Sequence, residues 1–375
     1  MKILHLTAGI GRSNGVMSVI LNYASHVSKD IKFDVLYFVS TDDDRIAELK
    51  DLGGQATEID PPGLHSLFRD DVDGYLEAHR GEYAAIHIHL PYLAGVIAPK
   101  ARRAGIGKVL VHSHSTWFSM GGSELRNKLL NMPTKRLADE LIACGREAGA
   151  VWYGKHALET GRVTVLPNAI ECDKFRFDSA ARKTVRNELG LDDRLTLACV
   201  GTLTDRKNQS FLIRLAAQMK KRGTDPVLLL VGDGPMREEL AGLADELGVD
   251  RDVMLLGNRP DVARLMQGMD VFLLPSLMEG LPVCAIEAQA AGLPVIMSDT
   301  VTDETCITDV TTRLSLEAPL DKWADEVFRL AKLPRTDTTD IIRQAGFDLE
   351  AGARKLERLY GYGDKEKQNI AARTS

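Results

Sequence analysis

The sequence predicts an α/β chain made of two doubly wound parallel sheets in series. Three observations carry that reading. Short apolar runs rich in β-branched residues alternate with longer helical patterns, the mark of parallel α/β layers. The alternation stops near the middle of the chain and then begins again. A length of 375 residues, 44% of them hydrophobic, suffices for two buried cores.

Strands are expected in the first half at 3–6, 33–38, 85–89, 109–114, 140–143 and 163–166. Helical spacing fills 15–28, 42–52 and 93–104 between them. A seam is expected around 167–192, which carries a proline, short polar clusters and a helical piece. The second half restarts with strands at 195–200, 227–231, 253–256, 271–274 and 295–297, and helices at 209–222, 235–247, 261–269 and 282–291. A last amphipathic helix is expected at 347–360, with Ala351, Leu356 and Leu359 near one face, followed by a polar, frayed tail after Gly361. Two such sheets predict a ligand in the cleft between them, at the carboxyl ends of the strands.

Composition excludes several classes. Lys and Arg total 47 against 53 Asp and Glu, a net charge of −6, so no overall basic excess marks a nucleic-acid binder. The 5 cysteines are odd in number, widely spaced and without a CxxC pair, which argues against a disulfide framework or zinc knot and for a reducing compartment. The first ten residues have one Lys and a short apolar run soon broken by polar residues and glycine, a poor signal peptide. No apolar run approaches the roughly 18 residues a spanning helix needs. A cytoplasmic location is expected, with a peripheral place at the inner face of the cell membrane left open.

The segment richest in chemistry is Pro275-Ser-Leu-Met-Glu-Gly-Leu-Pro-Val-Cys-Ala-Ile-Glu287-Ala. A strand ends, a loop crosses 276–281, and Pro282 suits the first turn of a new helix. Free backbone N–H groups and the positive end of the helix dipole make a seat for an anion. Glu279 in the loop and Glu287 about a turn and a half into the helix can accept hydrogen bonds from hydroxyls, as sugars require. A lone Glu is most often just exposed; the strand–loop–helix context changes that balance. At another strand–helix junction, Arg206 and Lys207 suit a diphosphate whose charge grows as its partner leaves, against the plainer reading of a solvated basic turn. Gly9-Ile-Gly-Arg-Ser-Asn-Gly15 joins the first strand to the first helix, and its glycines permit positive φ and close backbone approach. No Gly-Lys-Ser/Thr follows, so a nucleoside triphosphatase is excluded.

His87-Ile-His89 and His112-Ser-His114 each put two imidazoles on one face of a strand. They are candidate metal ligands, but no Cys and no obvious carboxylate completes a set, and buried structural histidines are the stronger competitor. Lys100, Arg102, Arg103, Lys108, Arg126, Lys128, Lys135 and Arg136 make the first half locally basic. Such a patch either docks on anionic lipid or forms ordinary solvated helix faces, the latter slightly favoured.

The spacing Glu279-x7-Glu287 resembles the E-x7-E signature of the retaining family-four glycosyltransferases of GT-B fold. Further segments resemble that family in its order. Val200-Gly-Thr-Leu-Thr-Asp-Arg-Lys-Asn208 is similar to its glycine–lysine loop, and Val231-Gly-Asp-Gly-Pro235 to its next strand end. Leu256-Gly-Asn-Arg-Pro-Asp261 is similar to the loop flanking the nucleobase, and Val165-Leu-Pro-Asn-Ala-Ile170 to the entry of the C-terminal domain. Within the family the resemblance is strongest to bacterial capsule and exopolysaccharide transferases.

The resemblance implies two Rossmann-like domains facing across a cleft: an acceptor-side domain of 1–168 plus about 351–375, and a donor domain of 169–350. It implies transfer from a nucleotide-sugar, expected to be a UDP-sugar, to a hydroxyl of a saccharide or lipid-linked saccharide. It gives Glu279, His114, Arg206 and Lys207 catalytic places, with Lys207 on the diphosphate and His114 near the transferred sugar. Gly15, Gly201, Thr202, Asn258, Arg259, Gly280, Leu281, Pro282 and Glu287 would contact the donor. The family often has Arg where Thr202 stands, and Arg206 is positioned to compensate. No Asp-x-Asp stands in a suitable place for Mg²⁺, so no metal or other cofactor is expected. The competing readings are a GT-B epimerase or hydrolase, and a catalytically silent nucleotide-sugar-binding subunit. A nicotinamide dehydrogenase fits worse, since the first glycine cluster is not Gly-x-Gly-x-x-Gly.

Overall fold

The computed structural model describes residues 1–12, 14–61, 71–116 and 124–362. The chain divides into two compact units, Met1–Ala169 with the segment from Leu349 onward, and Ile170–Asp348.

The first unit holds seven strands: β1 (Lys2–Gly9), β2 (Lys32–Val39), β3 (Ala56–Glu58), β4 (Tyr83–Ile88), β5 (Lys108–Ser113), β6 (Glu140–Ala143) and β7 (Val163–Val165). Their order is β3-β2-β1-β4-β5-β6-β7, and every pair is parallel. Helices on both faces bury the central strands from two sides, so β1 keeps Ile3, Leu4 and Leu6 fully buried and reads as a nearly continuous apolar run. The order reverses between β1 and β4, which makes the carboxyl ends of those two strands the natural place for a ligand. The helix Leu349–Leu359 belongs to this unit. Leu349, Ala353 and Leu356 form one stripe and share a core with Met17, Ile20 and Tyr23. Gly352 permits the approach, because a Cβ there would sit 2.9 Å from the Tyr23 hydroxyl.

The second unit holds β8 (Thr196–Val200), β9 (Val227–Val231), β10 (Val253–Gly257), β11 (Val271–Leu274), β12 (Val295–Ser298) and β13 (Thr311–Leu314). The order is β10-β9-β8-β11-β12-β13, again all parallel, with the reversal between β8 and β11. Trp323 on the helix Leu320–Leu330 fills the core edge-on against Phe211, and its indole N–H donates to the Ser315 carbonyl at 3.0 Å.

Several expectations need correction. β3 and β13 are short, half-buried edge strands rich in Thr and charge, so no apolar run announces them. The helix expected at 42–52 spans only Ile46–Asp51. Asp44 accepts from the Ile46 N–H at 2.9 Å, and its backbone bridges Gly11. The helix expected at 282–291 spans Val283–Ala290, with Pro282 at its N-cap instead of in the first turn. The last helix starts at Leu349, not 347, because Gly346 at φ 91° breaks the run before it. The expected frayed tail falls, from residue 363 on, outside the described residues.

The basic surface also shrinks. Lys100 lies on the inner side of the helix Ala94–Arg103, only 4% exposed, and pairs with Asp73 at 2.5 Å. A buried ammonium needs such a carboxylate, so Lys100 cannot serve an outside partner. Arg102 pairs with Asp139, Lys108 with Glu140 and Lys128 with Glu124. Among the described residues no helix is long and apolar enough to cross a membrane.

Candidate functional site

In the second unit the loops after β8, β9 and β11 converge at the switch point. Backbones touch there: a Cβ on Gly232 would lie 2.1 Å from the Gly201 carbonyl oxygen, and one on Gly234 would lie 2.4 Å from that of Leu203. Gly201 itself takes φ +152°, with Lys207 packed against it. A single 3-10 turn, Asp205–Lys207, follows, and Asn208 in the left-handed region starts the helix Gln209–Lys221. Two bonds tie this loop to the one after β11. The Asn208 side-chain amide donates to the Pro275 carbonyl at 3.1 Å, and the Leu277 N–H donates to the Arg206 carbonyl at 2.8 Å.

The two loops bring Lys207 and Glu279 together. Lys207 Nζ stands 2.7 Å from Glu279 Oε1, with side chains 11% and 10% exposed. The Ser276 hydroxyl donates to the same oxygen at 3.0 Å. The Ser276 carbonyl accepts from Ser298 and Thr300 hydroxyls, so the support is itself held. Burial works against the Lys207 ammonium, but Cys284, Glu279 and Cys199 outweigh it and hold its pKa above the ordinary lysine value. Burial pushes the Cys284 thiol up to about 11. Arg206, by contrast, is exposed, and none of the described ion pairs engages it.

Glu287 is half-buried on the helix Val283–Ala290. Burial raises its pKa to about 7, with the charge of Lys174 opposing, and no described hydrogen bond or ion pair meets its carboxylate. A charged group set in a partly dry site without a partner is costly, and such groups concentrate where a ligand supplies the partner. Leu281 and Pro282 are buried beside it and Gly280 is half-buried. Thr202 is half-buried and its carbonyl accepts from Gln209 at 3.0 Å. At the end of β10, Gly257 turns at φ +65°, Asn258 is exposed, and Arg259 is held by Asp261 through two bonds of 2.8 Å.

In the first unit, Asn14 caps the helix Gly15–His26 by accepting from Val16 and Met17, and its amide donates to the Gly9 carbonyl at 2.7 Å. The glycines of this loop do not use positive φ as expected; none of Gly9, Gly11 and Gly15 lies in that region. Gly11 is needed for close approach, since a Cβ there would meet the Thr41 hydroxyl at 2.7 Å, whereas Gly15 faces open space. Ser13 falls outside the described residues. A cavity beside this loop is lined by Thr7, Asn14, His89, Pro91, His114 and Trp152, among others.

His89 and His114 of that lining belong to a group of five packed histidines. His87 and His89 pack with ring centroids 4.3 Å apart and His112 and His114 with centroids 3.9 Å apart, so each H-x-H pair does share a face. His5 on β1, in register with His87, joins them. The trios His5, His87, His89 and His89, His112, His114 gather their ligand nitrogens within 4.8 Å. In each trio, however, ring nitrogens already face one another at hydrogen-bond distance. His5 and Tyr360, whose hydroxyl is 2.7 Å from His87 Nδ1, escaped the sequence reading. They come from opposite ends of the chain, and nothing local signals their meeting.

Residues 181–345 match the model for glycosyl transferases group 1, and residues 13–174 match that for Glycosyltransferase Family 4. The chain is 32% identical to EpsF, a glycosyltransferase by name, of Bacillus subtilis (strain 168), over 98% of both chains. It is 30% identical to a GDP-mannose-dependent phosphatidylinositol monomannoside mannosyltransferase of Mycolicibacterium smegmatis, over 48% of this chain and 47% of that one. Among solved structures it resembles Anabaena HepE, crystallised with UDP and glucose, at TM-score 0.76 and 18% identity, covering 96% of this chain and 98% of that one.

Proposed function

This chain belongs to the family-four glycosyltransferases of GT-B fold, and from that premise we propose that it transfers a sugar from a UDP-sugar, with retention, to a hydroxyl of a saccharide or lipid-linked saccharide. Work of this kind in polysaccharide biosynthesis is consistent with the full-length similarity to EpsF. The observation that carries the reading is the Lys207–Glu279 pair at 2.7 Å, set where the loops after β8 and β11 meet.

In this reading Lys207 and Arg206 take the donor's diphosphate, helped by the backbone N–H groups around Gly280, Leu281 and Pro282. Glu287 accepts from the ribose hydroxyls, and Asn258 with Arg259 flanks the base. Gly201 and Thr202 border the diphosphate. Glu279 orients the sugar, and the family resemblance gives Gly15 and His114 roles toward the sugar and acceptor. The bond from the anomeric carbon to the β-phosphate oxygen breaks, and the acceptor oxygen attacks from the same face. The acceptor's proton passes to the departing phosphate oxygen. The cations stabilise the charge that grows there, and no metal ion is required.

The test is to incubate the full chain with UDP-, GDP- and ADP-sugars and an undecaprenyl-diphosphate-linked saccharide. Release of UDP that depends on the acceptor, with an anomeric configuration in the product equal to the donor's by NMR, supports the reading. An epimerised nucleotide-sugar formed without acceptor, preference for a GDP-sugar, or an inverted product contradicts it.

A further inference from the structure

One helix of the first unit is built inside out. It spans Glu124–Asn131 and packs beside the 3-10 turn Pro91–Leu93 and the helix Ala94–Arg103. Its amides point inward. Asn127 is fully buried and Asn131 is 8% exposed, and the Asn131 side chain donates to the Trp152 carbonyl at 2.6 Å. Its apolar residues point outward: Leu125 is 69% exposed, Leu129 one turn later 56%, and Met132 just past the helix end 70%. Leu125 and Met132 are the two most exposed large apolar side chains among the described residues. A helix that meets only water puts its leucines against the core and its asparagines outside. The inward asparagines fix the opposite register here, and an apolar stripe of this kind marks an interaction site.

The ground around the stripe is basic. Lys135, Arg136 and Arg162 are exposed, and among the described residues no ion pair engages them. The Arg162 guanidinium donates to the Lys135 carbonyl at 3.2 Å, which holds it at the same edge. The acids nearby are already matched, Glu124 with Lys128, Asp139 with Arg102 and Glu140 with Lys108. An apolar stripe with a basic border is complementary to an anionic bilayer, whose acyl boundary takes the leucines and whose phosphates take the cations. A second copy of this chain fits worse, because a two-fold contact through the stripe brings two basic borders together.

The inner side of the same segment backs the cavity. Asn131 holds Trp152, and the Thr134 hydroxyl donates to the Pro91 carbonyl at 3.1 Å. Trp152 and Pro91 both line the cavity with His114. The packing is close: a Cβ on Gly95 would lie 3.0 Å from the Pro133 ring and 3.2 Å from the Leu130 carbonyl oxygen.

We infer that residues 124–136 dock the first unit on an anionic phospholipid surface. Leu125, Leu129 and Met132 enter the headgroup boundary, and Lys135, Arg136 and Arg162 meet the phosphates. The use of that docking rests on the proposed function: a saccharide carried on a membrane lipid reaches the cavity from the docked side. The docking itself does not.

The experiment sediments the full chain with vesicles of phosphatidylglycerol and phosphatidylethanolamine and, in parallel, with vesicles of phosphatidylcholine alone. Binding to the anionic vesicles should be about tenfold stronger or more, and should weaken with added salt. Leu125→Ser with Leu129→Ser should lower it about tenfold or more, with Tm unchanged because neither side chain packs in a core. Lys135→Glu with Arg136→Glu should abolish the preference for anionic lipid. Transfer to an undecaprenyl-diphosphate-linked saccharide held in vesicles should fall in the leucine variant, and transfer to a water-soluble short-chain analogue should not. Wild type that ignores anionic vesicles, or binds both lipids equally, overturns the inference. So does undiminished binding in the folded leucine variant. A wild-type dimer in light scattering that the leucine variant splits also overturns it and assigns the stripe to a second copy. If docking behaves as expected but wild type transfers nothing to the lipid-linked saccharide, the docking stands and the proposed acceptor fails.

Discussion

Lys207 and Glu279, 72 residues apart, meet at 2.7 Å in a nearly dry pocket, and a serine hydroxyl braces the carboxylate from behind. The pair joins the group that would neutralise a diphosphate to the group that would orient a sugar. A buried pair behaves as a unit: removing one partner strands the other.

Lys207→Met should therefore cost stability as well as donor binding. An uncompensated buried carboxylate costs about 3–5 kcal/mol, which thermal melts will show as a large fall in Tm. Adding Glu279→Leu should recover part of that loss without recovering UDP affinity. A single mutant with wild-type Tm would mean that the pair is not formed in solution.

Glu287 should make donor binding depend on pH. Hydroxyls donate to the ionised carboxylate, whose pKa in the free protein is about 7. UDP-sugar affinity should rise with pH through that value, by up to about tenfold from pH 6 to pH 8. Glu287→Ala should bind roughly ten- to hundredfold more weakly and lose the pH dependence. Calorimetry at three pH values decides; an equal slope in the mutant removes Glu287 from the ribose.

The same group makes the opposite prediction for the unliganded fold. Its folded pKa, about 7, lies above the ordinary 4.5, so the protonated form is the one that folding favours. That stabilisation is complete below about pH 4.5 and is lost as pH rises through 7. Glu287→Gln, neutral throughout, should exceed wild type by about 1–3 kcal/mol at pH 8 and converge with it near pH 5. Denaturant melts that run parallel at both pH values would contradict this.

Turnover should survive excess EDTA if, as proposed, Arg206, Lys207 and the start of the helix at Val283 take the place of a divalent ion. Collapse with chelator and rescue by Mg²⁺ or Mn²⁺ would show that the two cations do not suffice.

Much of this was legible in the sequence, for physical reasons that also mark its limits. The central strands of both sheets are buried on two sides and announce themselves as apolar runs, as β9 does with Val227–Val231. Edge strands such as Thr311–Leu314 are half wet and do not. The loop holding Glu279 was readable from its strand–loop–helix context. Its contact with Lys207 was not, since it depends on the turn at Asn208 and the bond from Leu277 to Arg206. Lys100 was misread as surface because helical spacing shows which residues share a face but not that Asp73 waits inside. The packed histidines needed His5 and Tyr360, 355 residues apart.

The most direct test of the donor-site account is Glu279→Gln, which keeps the shape of the side chain and removes its charge. UDP affinity by calorimetry and transfer rate with saturating donor and acceptor should be measured on the same preparation. Lys207 loses its internal partner and remains available to the diphosphate, so UDP should bind as tightly as in wild type or more tightly. The sugar loses its orienting carboxylate, and turnover should fall on the order of a hundredfold, since small misplacements at a reacting centre are costly. Near wild-type turnover, or a defect wholly explained by weaker UDP binding, would contradict the account.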